Sequence, residues 1–271
     1  MKPPRTGGTQ PLPGRGRLAP DRGTFGLKWA VHLRAWQPLS VGEPAASGPA
    51  VVPEHASCDA LVATPGLLDT LLARTARRMG TTSISVRAAQ LVDRHARVVA
   101  EALAPAIVVG RRAALAPGDV VIDLAPDGEL TRAHLGRGEN GAQRPESAAA
   151  EFAELHAPLV LAVAARRGRA EAVLFRSVGD RLAIAVAAEA RARGRDADVP
   201  GLVAAMIGAD ARFGPARRLG VARIGATTRP YLVRAGCCLS HRTVKDRPCF
   251  TCPVLRDEER VARLAEELAG S

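Results

Sequence analysis

SISVRAAQLVDRHARVVAEAL, residues 83–103, decides the fold. Its apolar side chains do not alternate as a half-buried strand requires. Val86, Ala89, Leu91, Val98 and Val99 recur at helical spacing and supply much of the inner face of one long helix, which Pro105 should end or kink. Immediately upstream, Leu67, Leu68, Leu71 and Leu72 share one helical face, with Arg74, Arg77 and Arg78 toward the end, where cations suit the helix dipole, and Gly80 as the stop. Downstream, Ala148–Arg167 (with Pro158 as a kink), Glu171–Arg193, Val199–Ala211 (with Pro200 in the first turn) and Asp257–Ala269 also read as helices. Leu264 and Leu268 should face inward on the last. Between these helices, Asp119–Leu124 and Glu129–Leu135 flank Ala125-Pro126-Asp127-Gly128 and read as a hairpin. Residues 137–147 read as a loop, and Arg217–Arg234 as irregular or extended chain. The expected fold is mainly α with a small β element (α+β), a helical domain followed by a cysteine-rich C-terminal segment.

Three regions follow. Residues 1–55 are rich in Pro, Gly and Arg and read as a disordered or variable extension, apart from a short element over Phe25–Trp36. Residues 56–228 form the helical domain, and residues 229–271 the cysteine segment and closing helix. The formal charge of +11 invites a nucleic-acid reading. However, Lys occurs only at positions 2, 28 and 245, and the Arg, Ala, Gly and Val bias is that of a GC-rich coding sequence. With no RNP-like strand, helix-turn-helix or Cys/His finger in the pattern, nucleic acid is not an expected partner. No stretch reads as a secretory signal or a transmembrane segment; the longest apolar runs suit buried helices. The expectation is a cytoplasmic protein whose sequence leaves room for peripheral association with a membrane.

The chemistry concentrates in Arg234-Ala-Gly-Cys-Cys-Leu239 and Cys249-Phe-Thr-Cys-Pro253, a C-C-x10-C-x2-C arrangement. Four of the five cysteines fall within sixteen residues, which favours metal ligation in a reducing compartment over a disulfide framework. Cys249 and Cys252 have chelating spacing, and the loop between the pairs can bring Cys237 and Cys238 to the same centre. Four thiolates suit tetrahedral zinc or an iron–sulfur cluster. Adjacent side chains on extended backbone diverge, so Cys237 and Cys238 reach a two-iron cluster more easily than one ion. A vicinal disulfide would need a strained ring. Arg234, His241, Arg242, Lys245 and Arg247 flank the cysteines and either tune a cluster or point into solvent. His241 is an alternative ligand.

This arrangement, with the Cys237-Cys238-Leu239 triplet and the basic Arg242, resembles the ferric-siderophore reductase family of the FhuF type. Where many members carry a Trp-Gly-Asn-like stretch in a central helix, this chain has Phe-Arg-Ser-Val-Gly-Asp over Phe175–Asp180. The resemblance implies a [2Fe–2S] cluster on Cys237, Cys238, Cys249 and Cys252 and one-electron reduction of a ferric siderophore or other ferric chelate. No GxGxxG after a strand, P-loop or nucleophile elbow is present, so the electron should come from an external donor. Other readings are a non-enzymatic iron–sulfur carrier or sensor, or a structural zinc module. Cys58 reads as an ordinary free thiol. His134 and His156 lack ligand spacing, and Glu151, Glu154 and His156 read as a solvated helix face without the Glu-x-x-His pairs of a di-iron site.

Overall fold

Hydrophobic period becomes architecture through one central helix. The computed structural model describes residues 52–136, 141–166, 168–225 and 227–269; the expected element over Phe25–Trp36 lies outside them. The long helix α3 (Ile84–Val108) buries Val86, Ala89, Leu91, Val98 and Val99 as its sequence requires, and it continues through Pro105 for one more turn. Around it pack α2 (Leu67–Arg78), α4 (Pro145–Ala165) and α5 (Glu171–Ala192), with α6 (Val199–Gly208) against α4 and α5. A short α1 (Ala60–Ala63) precedes them, capped by the Asp59 carboxylate, which accepts from the Ala60 N–H. Aliphatic residues and three buried phenylalanines, Phe152, Phe175 and Phe213, make the core.

The β content is larger than expected. β2 (Val120–Leu124) and β3 (Leu130–Leu135) form the anticipated hairpin, but β1 (His55–Ser57) adds a third antiparallel strand on the other edge of β2. Arg217–Arg234 is extended rather than irregular: β4 (Arg218–Ile224) and β5 (Thr227–Val233) pair antiparallel in full register as a second sheet. Gly220 sits opposite Tyr231, whose ring fills the space a side chain there would need; an added Cβ would lie 2.2 Å from the ring. The fold is therefore α+β, with seven α-helices and two small antiparallel sheets among the described residues.

Three further expectations need correction. Leu268 on α7 (Asp257–Ala269) is 38% exposed, so Leu264 alone of the two faces inward. His156 is not on a solvated face: it is fully buried in α4, with its Nδ1 2.7 Å from the Phe152 carbonyl, whereas Glu154 is exposed and pairs with Arg212. Lastly, α4 is long and apolar enough to cross a membrane by length and composition, although no such stretch was expected. Its buried residues are those of a core helix, packed against α3, α5 and α6.

Candidate metal centre

The cysteine segment follows β5 directly, and buried carboxylates of two core helices hold it. Asp180, from the middle of α5, accepts the backbone N–H groups of Ala235 (3.0 Å) and Gly236 (2.8 Å), the residues just before Cys237. The same carboxylate pairs with the buried guanidinium of Arg217 and reaches Arg234 at 3.4 Å. Arg234 in turn pairs with Asp93 of α3 and donates to the Ser177 hydroxyl at 2.7 Å, while Arg181 closes the far side of Asp93. Burial pushes the Asp93 carboxyl upward, but the Arg234 and Arg181 guanidiniums outweigh it and hold the group below the usual carboxylate range. Gly236 passes so close to α5 that an added Cβ would lie 2.8 Å from the Ser177 nitrogen, so no larger residue fits without displacing backbone.

After the cysteine pair, Leu239 adopts positive φ (59°) and drops its side chain between Val86 and Ala89 of α3. Gln90 donates to the Cys238 carbonyl. The loop then returns past α2: the Val244 N–H donates to the Met79 carbonyl (3.1 Å), and Gly80 leaves the room Val244 occupies. The second pair is held from the other side. Arg260 of α7, fully buried, donates to the carbonyls of Phe250 (2.7 Å), Cys252 (2.8 Å) and Leu255 (2.8 Å) and lies over the Tyr231 ring. The Cys252 N–H closes a turn on the Cys249 carbonyl at 2.9 Å.

These supports bring all four sequence-nominated cysteines together. Cys249 lies close enough to Cys238 and Cys252, and Cys237 to Cys252, for each to shift the other's titration. Cys238 and Cys252 are buried, while Cys237 and Cys249 are partly buried. Cys237 and Cys249 are held below the usual thiol range and Cys238 and Cys252 pushed above it; the Cys252 side chain, against burial, and then the Leu239 N–H and the nearby His241 and Arg169 bring Cys237 to about 5.

The side chains that could hold a metal include one that spacing alone had made an outsider. The His241 ring nitrogen and the sulfurs of Cys237 and Cys252 all lie within 4.8 Å of one another, a group Cys238 and Cys249 do not join. Four sulfurs round one zinc ion, at Zn–S distances of about 2.3 Å, would all sit within roughly 4 Å of each other. Of the flanking basic residues, Arg234 is buried in the network just described, His241 stands beside the sulfurs, and Arg242, Lys245 and Arg247 are exposed. The Nη1 of Arg234 is buried without a protein acceptor, and its charge acts on Cys238 and Cys249.

Cys58 does not contribute to the centre. It is buried against His95 of α3 (Sγ to Nε2 3.3 Å), and burial, with the nearby Asp59 carboxylate, pushes its thiol up to about 12. His95 and His156 stack edge to face at 4.8 Å beside it. His134 lies on β3 and shares the Asp123 carboxylate with His55. Of the residues that position the cysteines, Asp93, Arg217 and Arg260 were not singled out by sequence, and Ser177 and Asp180 appeared only within the Phe175–Asp180 stretch. The one signal was an Asp next to a Gly on the inner face of α5, Gly179-Asp180, where an unpaired carboxylate would be costly. Neither a scan against protein-family models nor a search of curated proteins finds a match to this chain.

Proposed function

We propose that Cys237, Cys238, Cys249 and Cys252 hold a [2Fe–2S] cluster and that the protein is a ferric-siderophore (ferric iron) reductase acting in the cytoplasm. The observation that carries this reading is four cysteines from two separate segments, held on one buried scaffold with the Arg234 guanidinium beside them. Soft thiolate donors in that number fit the cluster. Bound there, it would supply one-electron transfer, and the loss of charge on going from ferric to ferrous iron would loosen a hard-oxygen chelate.

The chain's own residues do the rest. Asp180 fixes the approach of the Cys237–Cys238 pair, and Arg260 fixes the turn that carries Cys249 and Cys252. Arg234 supplies a fixed positive charge next to sulfurs that must accept an extra electron's charge. Leu239, packed on α3, helps exclude water from the buried side. No general acid or base is required. The electron donor is external, and a ferric siderophore or other ferric chelate is the acceptor. Steady-state reduction of ferric chelates by the pre-reduced protein tests this. Transfer to a protein partner alone would favour the carrier or sensor reading.

One observation favours a second reading. Cys237, His241 and Cys252 could hold a single metal ion, zinc included. His241→Gln separates the two: it leaves a four-cysteine cluster in place, whereas a His-containing mononuclear site loses its metal.

A further inference from the structure

A groove of about 500 Å³ opens beside the proposed cluster, and Cys249 is part of its wall. That volume lies within the range of small-molecule sites. One wall is the loop that carries Ser240, Lys245, Arg247 and Pro248; the other is α7, with Arg263, Glu266 and Glu267. The two walls differ in charge. On α7, Arg263 lies three and four residues before the glutamates, so cation and carboxylates share one helical face and offset one another. The loop wall contributes cations alone: Asp246, between them in sequence, is not among the lining residues. Glu267 lies near Cys249 and, across the groove, near Arg247, whose charge it partly offsets, so Lys245 is the loop's less compensated cation. Lys245 is exposed, and no carboxylate within ion-pair distance of it is found among the described residues. Phe250 adds an apolar surface at the floor.

We infer that this groove seats the ferric chelate, and that the chelate it takes is small and anionic, of the hydroxycarboxylate or catecholate class, held by Lys245 and Arg247 against the Cys249 edge. The inference rests on the proposed reductase reading and narrows it. A neutral trihydroxamate would gain nothing from the cationic wall, whereas an anionic complex gains attraction and orientation there. Electron transfer balances simply: one electron leaves the reduced cluster, ferric iron becomes ferrous, and no bond to the protein forms or breaks.

The test uses redox-silent gallium(III) complexes, so that binding is read apart from electron transfer. Equilibrium binding of gallium(III) citrate and of a neutral gallium(III) trihydroxamate is measured on the iron-loaded protein, and on K245E/R247E with its visible spectrum as the folding control. Gallium citrate should bind the unaltered protein more tightly than the neutral complex and lose about tenfold or more in affinity in the variant. It should also weaken as salt is raised. K245Q and R247Q, measured singly, serve if the double variant loses its cluster, and each should weaken binding in the same direction. Unchanged gallium citrate binding in the variants, or equal binding of the neutral complex, overturns the inference. A protein that binds gallium citrate through these residues but reduces no ferric chelate would overturn the reductase reading and leave the groove assignment standing.

Discussion

Asp180 joins the helical core to the cysteine segment at a single carboxylate, accepting from two backbone N–H groups and two guanidiniums. Removing one partner of such a buried set leaves the others uncompensated, so Asp180→Ala should cost about 3–5 kcal/mol in chemical denaturation and lower metal content. Gly236→Ala, which drives a Cβ into the α5 backbone, should cost about 1–3 kcal/mol. Arg234 and Asp93 allow a sharper test, because their charges oppose one another beside the sulfurs. Arg234→Gln should move the midpoint potential more negative and Asp93→Asn more positive; shifts of the same sign would mean the pair is structural only. Away from the centre, burial holds His156 down to about 4, and burial, followed by the charge of His156, holds His95 well below the usual 6.5. A histidine depressed in the folded state contributes stability that is present above pH 6.5 and is lost as pH falls toward its folded value. Thermal stability should therefore drop between about pH 6.5 and 4, and His156→Leu should flatten that slope. The four cysteines were readable in sequence because their spacing is local. Their holders were not, because Arg234 finds Asp93 141 positions away and nothing in either neighbourhood names the other.

At the scale of elements, the long helices were plain from their apolar period, as α3 shows residue by residue. The second sheet was hidden. Gly220 and Pro230 both argue against strand, and each is accommodated by tertiary context: Gly220 by the Tyr231 ring, Pro230 by a two-stranded sheet that leaves it an unpaired edge. β1 is three residues long and exists only through its long-range partner β2. The last helix looked like an ordinary amphipathic cap, yet its decisive residue is a buried arginine rather than Leu268. Arg260→Met should free three carbonyls of the Cys249–Leu255 turn. Metal content should fall severalfold while far-ultraviolet circular dichroism keeps its helical signature, because α2 to α6 do not depend on that side chain. Loss of helix and metal together would show that α7 supports the whole body instead.

Across the whole molecule, the cysteine segment is part of one compact unit, residues 48–271, and touches α2, α3 and α5 through backbone as well as side chains. The proposed cluster would thus have a buried flank against the core, at Cys238 and Cys252, and two partly buried ligands, Cys237 and Cys249. That arrangement suits electron transfer at a surface better than a purely structural role, where full burial would serve. The +11 charge is spread largely as arginine, many of them paired with carboxylates, so the cationic loop beside Cys249 is a local feature and not a reflection of composition alone. Everything proposed for the protein's activity depends on what the four thiols hold. The most direct measurement is anaerobic purification followed by iron, sulfide and zinc analysis with EPR of the dithionite-reduced protein. The account predicts about two irons and two sulfides per chain and a reducible [2Fe–2S] signal that Cys249→Ser abolishes or strongly weakens. A colourless, redox-silent protein carrying one zinc per chain would contradict it.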